Sequence, residues 1–125
     1  LDLSKLVELS TAKRLGKGAV IIKEGATMPY SMYIVLSGSV RVVKSYGAYD
    51  QMLVATLYPG DFFGEMSLFL MKPRTATVVT IEETVVLEIN QSNVYEVIQK
   101  DPQFLFSVLK TLCTRIDDLN EKVKR

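Results

Sequence analysis

The chain contains no histidine and a single cysteine, Cys113. Without imidazole, Ser–His and Cys–His nucleophilic pairs are excluded, and zinc, His-ligated haem and iron–sulfur centres lack the side chains they need. One cysteine cannot close an internal disulfide, and its solitary use fits a reducing cytosol. Excess charge is missing too: 15 Lys/Arg stand against 14 Asp/Glu, a net charge of +1. No basic stripe of the kind that grips nucleic acid is present, so this segment is expected not to bind DNA itself. No apolar run approaches the roughly eighteen residues needed to cross a bilayer, which predicts no membrane contact and a cytoplasmic location. There is no signal-peptide pattern, and the chain begins at Leu1 rather than methionine, so it is expected to be a segment of a longer protein.

What is present is core-forming sequence. Apolar residues make up 48% of 125 residues, enough for one compact domain with a single modest core. Leu3, Leu6, Val7 and Leu9 are spaced as in a short amphipathic helix, which places an N-terminal helical segment within about residues 1–15. β-Branched runs follow. Val20–Ile22 is closed by Glu24-Gly25, and YIVL at 33–36 and VRVVK at 40–44 flank Ser37-Gly38-Ser39, a hairpin signal. MLVATL at 52–57 stops at Pro59-Gly60, and ATVVTI at 76–81 and TVVLEI at 84–89 are joined by Glu82-Glu83. Short strands at this spacing predict an antiparallel barrel or sandwich over residues 16–89. Residues 90–125 predict helices: one capped by Asn90 or Ser92 and ended at Asp101-Pro102, and a second running from Pro102 onward.

That last helix carries a seam. Leu105, Leu109, Leu112, Ile116, Leu119 and Val123 alternate four and three residues apart, an a/d heptad pattern spanning about 27 Å. The stripe is narrow and continues into the charged segment IDDLNEKVKR, where a small barrel has little left to cover. A parallel homodimer through these six residues is expected, the alternative being a helix laid against its own barrel.

Residues 60–77, GDFFGEMSLFLMKPRTAT, place Glu65 and Arg74 inside an apolar run. Phe62 and Phe63 are core anchors, Gly64 permits close backbone approach, and EMSLFLM forms a short helix before Lys72-Pro73 breaks it. Glu65 in the first turn either stabilises the helix dipole or pairs with Arg74. A second arrangement has Arg74 facing the helix start as a bidentate anion clamp, leaving Glu65 to accept hydrogen bonds from hydroxyls. That second arrangement describes a pocket for an anion joined to a polyol.

The stretch PGDFFGEMSLFLMKPRTATV, residues 59–78, resembles the phosphate-binding cassette of cyclic nucleotide-binding domains, usually PGD-F-FGE, a small loop, then PR-x-A-T/S-V. GAVIIKEG and YIVLSGSVRV match further segments of that family, so the resemblance covers nearly the whole chain. It implies a jelly-roll-like antiparallel β-barrel flanked by helices, with a 3′,5′-cyclic nucleotide against the cassette. By position, Arg74 would clamp the phosphate and Glu65 would accept the ribose 2′-hydroxyl. Backbone groups of Gly64, Glu65, Ser67 and Thr75 would complete those contacts, and Phe63 and Met66 would wall the pocket. A small residue at position 75 is common in cAMP-binding members, while a threonine can bond a syn guanine. Thr75 therefore keeps cGMP open, although the favoured role of its hydroxyl is to steady the phosphate or a backbone neighbour, and cAMP is favoured. The tail is similar to the catabolite-activator branch, in which the long helix dimerises and reaches the base; Asn120 is its candidate base contact here, while Leu119 departs from the polar pattern. The implied function is a sensor without catalysis or further cofactor, passing a conformational change to an absent output domain. A DNA-binding regulator is favoured for that domain, with a channel or kinase as alternatives. The rival is a degenerate barrel that assembles through its heptad helix without nucleotide. A metal-dependent enzyme on a similar barrel is opposed by the missing histidines.

Overall fold

The computed structural model describes residues 2–123; Leu1, Lys124 and Arg125, at the ends of the single expected domain, lie outside the described residues. The chain opens with helix α1 (Ser4–Leu9) and strands β1 (Thr11–Leu15), β2 (Val20–Ile22), β3 (Ser31–Ser37), β4 (Val40–Lys44), β5 (Met52–Leu57) and β6 (Phe62–Phe63). After these come α2 (Glu65–Leu70), β7 (Thr77–Thr80), β8 (Thr84–Asn90), α3 (Val94–Lys100) and α4 (Pro102–Val123). Two antiparallel four-stranded sheets form, ordered β1-β8-β3-β6 and β2-β7-β4-β5. Within them β1 pairs with β8, β2 with β7, β3 with β6 and β4 with β5. This nesting is a long antiparallel ribbon rolled up on itself, the jelly roll that the cassette resemblance implied.

The rolling corrects a local expectation. Ser37-Gly38-Ser39 does not close a hairpin, because β3 and β4 lie in different sheets, and neither does Glu82-Glu83 between β7 and β8. Both turns cross from one sheet to the other, and they pack together. Ile81 N–H and Thr84 Oγ1 donate to the Ser39 carbonyl at 2.9 and 3.2 Å, and Ser39 Oγ donates to Glu82 Oε2 at 2.9 Å. Gly38 has φ +85°, and a Cβ there would lie 2.5 Å from the Glu83 carbonyl oxygen. The glycine that signals a hairpin is required here by a turn-to-turn contact.

The β3 run is apolar on both faces because both faces are covered. Met32 and Ile34 join Phe62, Leu87 and Ile89 in a core under the helices, which adds Leu6, Val97, Phe104 and Val108. Tyr33 and Val35 face the barrel interior with Phe63, Val78 and Val86. Adjacent Phe62 and Phe63 thus anchor opposite cores, as period-2 alternation requires.

Two boundaries shift. The N-terminal helix ends at Leu9, and Thr11–Leu15 is an edge strand whose exposed Lys13 and Arg14 hide its β character. Helix α3 starts at Val94, after a turn in which Asn90 Oδ1 accepts the Ser92 N–H and Asn93 Oδ1 accepts the Asn90 N–H. On α4 the first turns are held against the barrel by buried Phe104 and Val108, which the heptad pattern passes over. Leu105 and Leu112 are half-buried, whereas Leu109, Ile116, Leu119 and Val123 are more than half exposed.

One charged cluster enters the barrel interior. Glu88 on β8 accepts from Lys13 Nζ on β1 and from Ser31 Oγ on β3, both at 2.7 Å. Burial works to raise the Glu88 pKa, but the hydrogen bonds from Lys13 and Ser31 outweigh it and hold the carboxyl below its usual range. The unfolded chain therefore binds this proton more tightly than the folded one. The stabilisation is complete above the unfolded value of about 4.3 and is lost as pH falls through the lower folded pKa. Hydrogen bonding to Glu88 raises the Lys13 pKa, so that partner's share is complete below about pH 10.4 and fades as pH rises through its higher folded value. Urea midpoints taken downward from about pH 6 should accordingly fall less steeply in Glu88→Gln than in the native chain below about pH 4.3; parallel acid limbs would contradict the depressed pKa.

Candidate functional site

The cassette is built around Arg74, which is buried with 8% exposure. Its backbone is pinned to the turn after β2: Arg74 N–H donates to the Ala26 carbonyl at 2.9 Å, and Gly25 N–H donates to the Arg74 carbonyl at 2.8 Å. Its guanidinium is held by two further carbonyls, Nη2 donating to Pro29 at 2.7 Å and Nη1 to Gly64 at 3.2 Å. Burial pulls the Arg74 pKa down, with Tyr33 and Glu88 acting in the opposite direction. A guanidinium nevertheless stays protonated in proteins. Its donors meet neutral oxygens, and among the described residues it forms no salt bridge.

Gly64 makes this approach possible. It has φ +82°, and a Cβ would stand 2.9 Å from Arg74 Nη1 and 3.0 Å from the Ser31 carbonyl oxygen. The chain then enters α2, whose break at Lys72 is fixed by Ser67 Oγ donating to the Lys72 carbonyl at 2.8 Å. Glu65 is almost buried, and its partner is not Arg74. Arg115 Nη1, from α4, donates to Glu65 Oε1 at 3.0 Å, and the same guanidinium lies 5.3 Å from the centre of the Phe62 ring.

These groups border a cavity of about 280 Å³. Ile22, Val42, Leu57 and Val78 supply an apolar wall from the second sheet, while Glu65, Arg74 and Arg115 supply charge at the other side. A cation that forms no ion pair among the described residues, a carboxylate and an apolar wall together can hold a molecule that is anionic at one point, hydroxylated at another and flat and apolar at a third.

A family model for the cyclic nucleotide-binding domain matches residues 12–101. The chain belongs to that family. Over 86 residues it is 30% identical to a cyclic AMP receptor protein of Thermus thermophilus, covering 69% of this chain and 40% of that protein. It is 32% identical over 84 residues to human cGMP-dependent protein kinase 2, covering 66% of this chain and 11% of the kinase. The crystal structure of Thermus thermophilus catabolite activator protein superposes with a TM-score of 0.84 at 24% identity, covering 98% of this chain and 57% of that one. The chain thus spans less than half the length of the curated relatives it is similar to.

In this cyclic nucleotide-binding domain, seven of the eight residues expected at the site border one cavity: Phe63, Gly64, Glu65, Met66, Ser67, Arg74 and Thr75. Asn120 does not join them. It lies on the exposed C-terminal part of α4, and the α4 residue at the cavity is Arg115, about 7.5 Å nearer the start of the helix. Arg115 was not legible because the heptad pattern assigns it to a solvated face, and nothing in sequence spacing joins it to a carboxylate 50 positions away. The direct Glu65–Arg74 pair is absent among the described residues. Thr75 is exposed at the cavity rim, and its hydroxyl has no hydrogen-bond partner among the described residues, so it steadies no backbone neighbour here.

Proposed function

We propose that this domain senses a 3′,5′-cyclic nucleotide, cAMP in preference to cGMP, and reports it through α4 without catalysing a reaction. The observation that carries this reading is the buried, carbonyl-tethered Arg74, which has no carboxylate partner among the described residues. Two neutral acceptors orient the guanidinium, leaving its charge and its remaining N–H donors for a ligand anion. Phosphate on Arg74 places the fused ribose toward Glu65, whose carboxylate accepts the 2′-hydroxyl, and turns the base toward the apolar wall. Gly64 and the first turn of α2, Ser67 included, bring backbone groups to the same ring, with Phe63 and Met66 as walls. Thr75 Oγ is available to the phosphate or to a base. The preference for cAMP is supported by similarity to a protein named as a cyclic AMP receptor.

Arg115 supplies the route outward. Its side chain is 48% exposed whereas that of Glu65 is 11% exposed, so the arginine can move into solvent if a ligand hydroxyl takes its place on the carboxylate. Occupancy of the cavity then changes what holds α4 to the cassette, which gives the ligand the differential affinity for two helix positions that a switch requires. The exposed Leu109, Ile116, Leu119 and Val123, with Leu105 and Leu112 beside them, support a parallel homodimer through α4. Similarity to a cyclic AMP receptor protein supports a DNA-binding regulator domain as the output, in a cytoplasmic protein.

Calorimetry with cAMP and cGMP on the native chain should show micromolar or tighter binding, with cAMP the stronger. Arg74→Ala should weaken it by about 2–3 kcal/mol, the scale of a lost charge-assisted bidentate contact. Absence of heat with both nucleotides at high protein concentration would sink the sensor reading. For the assembly, sedimentation at tens of micromolar should give a dimer that Ile116→Asp converts to monomer; a native monomer would overturn it.

A further inference from the structure

Arg74 depends on a short piece of chain, residues 29–31, that the cassette motif does not include. The Pro29 carbonyl takes the shorter of the two guanidinium hydrogen bonds, 2.7 Å against 3.2 Å to Gly64. Two residues on, the Ser31 carbonyl closes over Gly64, at 3.0 Å from where its Cβ would stand. This segment precedes β3 and needs an anchor of its own. The anchor comes from the neighbouring strand β8 of the same sheet: fully buried Ser31 donates its hydroxyl to Glu88 Oε2 at 2.7 Å. The second oxygen of Glu88 is held by Lys13 at 2.7 Å. In the register of the first sheet, Glu88 is directly opposite Tyr33, and Tyr33 is opposite Phe63, with the Tyr33 and Phe63 rings stacked at 5.3 Å. One row of side chains therefore runs from the buried carboxylate to the residue before Gly64.

We propose that Glu88 is a positioning residue for Arg74: by holding the Ser31 hydroxyl it fixes the segment whose Pro29 carbonyl aims the guanidinium into the cavity. A buried carboxylate near a buried arginine would ordinarily pair with it. Here both carboxylate oxygens are occupied, one by Ser31 and one by Lys13, so Glu88 orders the arginine's surroundings without taking its charge. Arg74 itself feels the Glu88 charge as a favourable influence on its protonated form. Its consequence for affinity rests on the cyclic-nucleotide reading above; its consequence for the arginine does not.

Two measurements separate these. Without ligand, the Arg74 guanidinium ¹⁵N–¹H signals of the native chain should be resolved, because each Nη is held by a different carbonyl. They should broaden or merge in Ser31→Ala, and in Glu88→Gln to a smaller extent, since an amide oxygen still accepts from Ser31. With cAMP, Ser31→Ala should weaken binding about 10- to 150-fold, as expected for one buried hydrogen bond to a charged group. In an Arg74→Ala background the same change should cost less than about twofold, because the two residues act as one unit. Unchanged Arg74 signals in both variants, at temperatures where both remain folded, would overturn the proposal. So would an equal affinity loss with and without Arg74. If the native chain binds no cyclic nucleotide but the arginine signals respond as stated, the positioning role stands and the ligand assignment falls.

Discussion

A single buried cation organises the functional end of this molecule. Arg74 is tied at its own N–H and carbonyl to the turn at Gly25-Ala26, and at its guanidinium to Pro29 and Gly64. Burying that charge costs free energy unless its donors find acceptors. The structure meets the cost with carbonyl oxygens rather than a carboxylate. The choice has a chemical consequence: a salt bridge would have satisfied the arginine and closed the site, whereas neutral acceptors keep it electrophilic toward an anion. The jelly roll exists around this point in a specific way, since nested strand pairing brings the β2 turn, the start of β3 and the cassette to one end of the barrel.

The second feature is the division of labour along α4. Phe104 and Val108 bury its first turns in the core shared with α1 and α3, so that end moves only with the domain. Farther along, the helix leaves the barrel, and the pairing of Arg115 with Glu65 ties it to the cassette. An ion pair whose arginine is half-exposed can be released to solvent more readily than a buried phenylalanine. The helix is thus firmly rooted at one end and lightly held where it passes the cavity, the arrangement expected of an element whose position answers to a ligand.

Much of this was legible in the sequence, and the failures have physical causes. The cassette could be read because its constraints are local: Gly64 must adopt a left-handed backbone, Pro73 must end α2, and Phe62 and Phe63 must alternate between cores. Strand existence followed from β-branched runs. Strand pairing did not, because Ser37-Gly38-Ser39 makes the same turn whether the next strand returns to its own sheet or crosses to the other. Thr11–Leu15 escaped because an edge strand with Lys13 and Arg14 lacks alternation. Asn120 was placed at the site by a resemblance that depends on how far α4 reaches, and in one chain the cavity is met by Arg115 instead. Partners separated by 50 or more positions, such as Glu65 with Arg115 and Ser31 with Glu88, are set by the folded topology and leave no trace in spacing.

The most direct test is a structure of this chain with cAMP bound. The account predicts the cyclic phosphate within hydrogen-bond distance of the Arg74 guanidinium, the Pro29 and Gly64 bonds retained, and the ribose hydroxyl on Glu65 in place of Arg115. A nucleotide seated away from Arg74, or in the cavity with the Glu65–Arg115 pair intact, would contradict it.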